Sequence, residues 1–140
     1  LLVPDLLDPS QESEPRSEPF VHQALLEWLL AHLHEPISLS DMEQRSGYSR
    51  RSLQYAFKRH FGCGPMQWLR QQRLARAKAL LEKPGSHRSL LAVSAACGYL
   101  SQASFSRDFQ ARYGERPSRV LRRNRDHSRL QGLGEEPALS

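Results

Sequence analysis

One stretch of this chain occurs twice, and that duplication constrains the fold more than any other feature. The first copy reads Ser46-Gly47-Tyr48-Ser49, then Leu53 and Phe57, then Phe61-Gly62 and Pro65. The second reads Cys97-Gly98-Tyr99-Leu100-Ser101, then Phe105 and Phe109, then Tyr113-Gly114 and Pro117. Each copy holds a small residue, a glycine, a tyrosine, a serine suited to cap a helix, and two large apolar residues four apart. Each then ends on a proline suited to open a new helix. The period is about 52 residues, and self-similarity at such a period marks a repeated supersecondary unit. Two short helices joined by a glycine-containing turn form a helix-turn-helix.

Around the repeat the pattern is helical throughout. Leu25, Trp28, Leu29 and Leu33 recur at helical spacing to about His34, and Pro36 stops that helix. Ser38 with Asp41, or Ser40 with Glu43, supplies a capping box for a second helix starting near residue 39 or 41 and ending at Gly47. Ser49 caps a third helix to about Phe61, and Pro65 opens a long fourth one to about Glu82. Met66, Leu69, Leu74, Ala77, Leu80 and Leu81 supply its expected buried stripe. Ser89 caps a fifth helix to Cys97, Ser101 a sixth to about Tyr113, and Pro117 starts a short last one. With no threonine and few other β-branched residues, the fold is all-α. It comprises two helix-turn-helix subdomains joined by a long linker helix, about seven helices in all. The units divide as 20–82, the first with the linker helix, and 83–123, the second. Residues 1–19, rich in Pro, Ser, Glu and Asp, are a flexible acidic linker or tail, and 124–140 a disordered tail.

Charge follows the same division. The chain carries a formal net charge of +5, with acidic ends and all of the excess positive charge in the body. A basic body richer in Arg than in Lys points to phosphate-bearing partners, nucleic acid first, although a solvated surface reads the same. No run of about 18 apolar residues is present, so neither a membrane span nor a membrane partner is expected. Two cysteines 34 residues apart make no disulfide framework and fit a reducing cytosol.

Two segments carry a specific resemblance. Residues 47–81, GYSRRSLQYAFKRHFGCGPMQWLRQQRLARAKALL, resemble the first half of an AraC/XylS-type DNA-binding domain, and 93–122, VSAACGYLSQASFSRDFQARYGERPSRVLR, that family's second-half signature. The resemblance covers about residues 20–123. It implies a sequence-specific transcriptional regulator, usually an activator, working on double-stranded DNA in the bacterial cytoplasm at the nucleoid. Recognition helices at about 50–61 and 102–113 would enter adjacent major grooves. It also implies contact with RNA polymerase. The chain would then be the C-terminal part of a longer protein, with 1–19 as the tether to an effector or dimerisation domain, and a dimer formed through that domain stays open. Two departures stand out: Glu43 where the family has a small residue against the recognition helix, and Gly64 rather than Ser before Pro65.

With Leu53 and Phe57 facing inward, Arg50, Arg51, Gln54, Tyr55 and Lys58 face out. Arg pairs with guanine and Gln with adenine in the major groove. The resemblance puts Arg51, Gln54 and Tyr55 in base-contacting positions, with Ser49, Arg50 and Lys58 toward phosphate. In the second copy it puts Gln102, Ala103, Ser106 and Arg107 in the reading set, with Ser101 toward phosphate. Ala103 offers only a methyl to a thymine, and Asp108 dilutes the charge beside Arg107; family members often read DNA weakly through one unit, so the resemblance implies mostly phosphate contacts from this half. On the linker helix, Arg73 is expected to be held inside the protein rather than to touch DNA. Arg119, Arg122, Arg123 and Arg125 form a basic cluster that is either a phosphate contact or a solvated end.

Other classes find no residues to carry them. There is no glycine-rich phosphate loop, nucleophile elbow or paired-histidine zinc helix, so no enzyme, metal or cofactor is expected. His32 and His34, two apart, cannot share a helix face. Cys63 and Cys97 read as structural. The standing alternative is a helix-turn-helix protein-interaction module with only nonspecific affinity for DNA.

Overall fold

A computed structural model describes residues 22–83 and 88–127. The described residues form seven helices and no strand: α1 (Gln23–Ala31), α2 (Leu39–Ser46), α3 (Arg50–Phe61), α4 (Pro65–Glu82), α5 (Leu90–Ala96), α6 (Gln102–Tyr113) and α7 (117–127). The expectations for 1–19 and for 128–140 lie outside the described residues.

Local chemistry sets the boundaries. Ser38 Oγ accepts the Asp41 amide at 3.1 Å while the Asp41 carboxylate accepts the Ser38 amide at 2.8 Å, so of the two candidate boxes this one starts α2. The bond from the Ser38 amide, helped by the Ser38 side chain, holds the Asp41 carboxyl below its usual range. Ser49, Ser89 and Ser101 each cap the helix that follows through the amide three residues on. Gly64 gives α4 no side-chain cap, and Pro65 opens it from the first position.

Two apolar cores result, and they share no residue. One runs from Leu25, Leu29 and Leu33 through Met42, Leu53 and Phe57 to Trp68 and Leu69. The other runs from Leu74, Ala77 and Leu81 through Val93, Phe105 and Phe109 to Val120 and Leu121. Both draw on α4, whose N-terminal part closes the first core and whose C-terminal part closes the second. The four residues between Leu69 and Leu74 are Arg70, Gln71, Gln72 and Arg73.

Four details differ from the sequence reading. The first helix ends at Ala31, not near His34; residues 32–34 form a turn, and the His32 and His34 rings stack with centroids 6.5 Å apart. Leaving the helix removes the geometry that would have kept them on different faces. Met66 is exposed, and Trp68 takes its place in the stripe, packing against Phe57 with ring centroids 5.6 Å apart. A helix turns about 100° per residue, so beside buried Pro65 only 68 and 69 return to the same side. Leu80 is half-buried against the second core. Finally, 124–127 are helical rather than part of a disordered tail. Asn124 Nδ2 donates to the Lys83 carbonyl at 2.9 Å and Arg125 to the Arg88 carbonyl at 3.1 Å, and these bonds carry α7 beyond its apolar residues.

Separate cores make a separable prediction. Phe109→Ala removes a fully buried ring and is expected to cost the second unit about 3–5 kcal/mol. Hydrogen exchange should show protection falling in α5, α6 and α7 and largely kept at Leu29, Met42 and Leu53; equal loss in both halves would contradict two independent cores.

Candidate nucleic-acid interface

α3 and α6 are presented in the same way, each after a glycine turn and behind a serine cap. Gly47 and Gly98 both take the left-handed conformation, at φ +77° and +85°. Ser49 Oγ accepts the Ser52 amide at 3.2 Å, and Ser101 Oγ accepts the Ser104 amide at 3.2 Å. The buried pairs Leu53/Phe57 and Phe105/Phe109 fix the roll of the two helices. Roll then decides which side chains face solvent.

On α3 the expected set is brought together. Arg51, Gln54 and Tyr55 are all exposed, with Ser49, Arg50 and Lys58 exposed beside them. Arg50 is not free: its guanidinium lies 3.7 Å from the Glu43 carboxylate of α2. Glu43 therefore meets α3 through an ion pair, where a small residue would meet it by contact. Arg59 donates to the Tyr55 hydroxyl at 3.3 Å, which leaves the rest of the phenol ring open. Arg51 and Gln54 have neither kind of partner among the described residues.

On α6, Gln102, Ala103 and Arg107 are exposed with Ser101. Ser106 is half-buried: on the helical wheel it lies roughly 60° from Phe109 and about 100° from Phe105, so its short side chain sits at the edge of the inward face. Arg107 donates to the Ser104 hydroxyl at 3.3 Å. Taken position for position at the 52-residue period, Arg50, Arg51, Gln54 and Tyr55 of the first copy become Gln102, Ala103, Ser106 and Arg107 in the second. The second face is smaller and carries less charge.

Asp108 does not act as expected. It turns away from Arg107, accepts the Tyr99 hydroxyl at 3.0 Å and lies 3.7 Å from the Arg70 guanidinium. Its charge thus ties α6 to the turn before it and to α4. Burial, then the hydrogen bond to Asp108, pushes the Tyr99 phenol far above its ordinary range, so it stays a donor. Tyr48, its counterpart in the first copy, packs edge-on against His22 with centroids 4.0 Å apart.

Arg73 is held inside the protein, as its place on α4 suggested. Its Nε–H donates to the Leu33 carbonyl at 3.1 Å and its Nη2–H to the Glu35 carbonyl at 2.8 Å. Of the basic cluster on α7, Arg123 pairs with Glu115 at 3.0 Å and Arg125 with the Arg88 carbonyl, leaving Arg119 and Arg122 as the solvated cations. Cys63 and Cys97 are free and buried, and burial pushes the Cys97 thiol up, away from thiolate chemistry. Among the described residues no three His, Cys, Asp or Glu side chains are grouped to hold a metal ion, and no helix is long and apolar enough to cross a membrane.

The contacts that sequence reasoning missed are these internal ties. The repeated spacing Ser49–Ser52 and Ser101–Ser104 was a readable cap signal, whereas nothing local marks Asp108 as a partner of Tyr99.

Comparison with known proteins agrees with this arrangement. A family model described as a helix-turn-helix domain matches residues 42–123. YkgA of Escherichia coli strain K12 is 37% identical over 111 residues, covering 79% of this chain and 45% of that protein. The chain therefore spans less than half the length of that curated relative. A transcriptional regulator with an AraC-type DNA-binding domain from Chromobacterium violaceum superposes with a TM-score of 0.65 at 28% identity, covering 72% of this chain and 88% of that one. The DNA-binding domain of AdpA, solved in complex with a target DNA, superposes with a TM-score of 0.69 at 30% identity, covering 79% and 96%.

The Tyr99–Asp108 bond is open to test. Tyr99→Phe is expected to cost about 1–1.5 kcal/mol at neutral pH by thermal or denaturant unfolding. The sign with pH follows from a phenol raised in the folded state: its contribution is complete below the unfolded value of about 10 and is lost as pH rises beyond it. The wild type should therefore lose stability more steeply than Tyr99→Phe above about pH 10.

Proposed function

The chain belongs to the AraC/XylS family of transcriptional regulators and carries its helix-turn-helix DNA-binding domain; from that premise we propose sequence-specific reading of double-stranded DNA through α3 and α6. The observation that carries the reading is the paired presentation of two capped, exposed helices at either end of one 18-residue helix. At about 1.5 Å per residue that helix spans roughly 27 Å. Adjacent major-groove faces on one side of B-DNA lie roughly 34–36 Å apart, so the duplex bends toward the protein, at about 1–6 kcal/mol for a moderate bend.

In this reading Arg51 and Gln54 contact base edges, with Tyr55 beside them, and Ser49, Arg50 and Lys58 hold phosphates. Gln102, Ala103, Ser106 and Arg107 face the second groove, with Ser101 toward its phosphates. The smaller second face makes it the weaker reader. Activation of transcription, contact with RNA polymerase, dimerisation through a domain outside this chain, and a cytoplasmic place at the nucleoid follow from the same family premise. They belong to the whole regulator.

Selection from a pool of random duplexes at two salt concentrations tests the reading. Two enriched blocks about one helical turn apart are expected. Salt-dependent binding without an enriched motif would leave phosphate attraction alone and favour a protein-interaction module. On the selected site, Arg51→Ala is expected to lose about 1–3 kcal/mol, with binding to random DNA changed far less. Equal loss on both would make Arg51 a phosphate contact.

A further inference from the structure

Apolar burial holds each helix-turn-helix unit together, but it does not hold one unit to the other. The cores separate on α4 between Leu69 and Leu74, and the turn between them is polar. Across this seam the structure has directional contacts instead, centred on Arg73.

Arg73 reaches back to the first unit with two arms of its guanidinium. The Leu33 and Glu35 carbonyls that it binds lie just beyond the C-terminus of α1. A planar fork that binds two fixed acceptors sets orientation as well as distance. Gly98, in the turn before α6, is seated against the same contact. A methyl group built on Gly98 would overlap the Leu33 carbonyl oxygen and come within 2.7 Å of Arg73 Nε. Gly47, the same turn position in the first copy, has open space around it. So the two turns share a backbone conformation, and only the second is pressed against the opposite unit. Arg70, one turn earlier on α4, adds its ion pair with Asp108 of α6.

We propose that Arg73 and Gly98 form a clamp that fixes the rotation between α3 and α6, and hence the spacing between half-sites that the protein accepts. Both are positioning residues and neither contacts DNA. The inference rests on the two-groove reading above. One base pair added between half-sites turns one against the other by roughly 34–36° and moves it about 3.4 Å. A clamped pair of helices cannot follow that change; a loosened pair can.

The test uses the 140-residue chain, with Arg73→Lys, Gly98→Ala and Gly47→Ala. Lysine keeps the charge and loses the fork. Gly47→Ala carries the same left-handed strain without the crowding, so it is the control for destabilisation alone. Residual dipolar couplings on the free protein report relative orientation without DNA. One alignment tensor is expected to fit both units in the wild type and in Gly47→Ala, and two tensors are expected to be needed for Arg73→Lys and Gly98→Ala. The second readout is binding to the selected duplex with one base pair inserted or removed between its blocks. The wild type and Gly47→Ala are expected to lose on the order of tenfold or more per step. Arg73→Lys is expected to lose less than about threefold, while its affinity for a single block is unchanged. A single tensor for Arg73→Lys, or a wild-type spacing profile in that variant, overturns the clamp. Failure of the wild type to select any two-block site overturns the DNA reading and the spacing role with it, a result the couplings cannot produce.

Discussion

One helix belongs to two cores, and the architecture hangs on that sharing. α4 gives Trp68 and Leu69 to the first unit and Leu74, Ala77 and Leu81 to the second. An 18-residue helix is stiff along its axis, so it separates the units by a fixed length. Rotation about that axis is another matter. It is decided where the apolar stripe stops, at Arg70 to Arg73, by hydrogen bonds to the end of α1 and an ion pair to α6. Distance therefore comes from backbone geometry, and angle from a few polar contacts.

The duplication shows how the same short motif serves different ends. In both copies a glycine, a tyrosine and a capping serine deliver a capped, exposed helix. Yet Tyr48 meets a histidine ring while Tyr99 donates to a carboxylate. Glu43 spans from α2 to Arg50 on α3; the equivalent tie in the second unit is Asp108, on α6 itself, turned back to Arg70. The two ties act oppositely on the exposed faces: Asp108 is drawn away from Arg107 toward α4, whereas Glu43 occupies Arg50, one of the cations that α3 exposes.

Much of this was legible in the residues, for a physical reason. Helix starts and ends are local events: Ser38 with Asp41, Ser49, Pro65, Ser101 and Gly114 announce them within three or four positions. The roll of α3 and α6 was equally readable, because paired apolar residues four apart leave one inward face. What escaped depended on distant partners. Trp68 replaced Met66 in the α4 stripe because Phe57 lies there to receive it. α7 continues past its apolar residues because Asn124 and Arg125 find carbonyls some 40 positions away. Asp108 looked like a neighbour of Arg107 and is a partner of Tyr99 and Arg70. Sequence order gives adjacency along a helix; it does not tell which way a charged side chain turns once another helix arrives.

The open space at Gly47 and the crowding at Gly98 give the two halves unequal room to vary. A residue inserted or enlarged at the first turn would project into solvent and disturb only the entry to α3. The same change at the second turn would act as a wedge between the units and would alter a dimension of the whole domain. A duplicated fold of this kind can enlarge its first turn against local backbone strain alone, while its second turn is also bound by a tolerance set in the other half of the molecule.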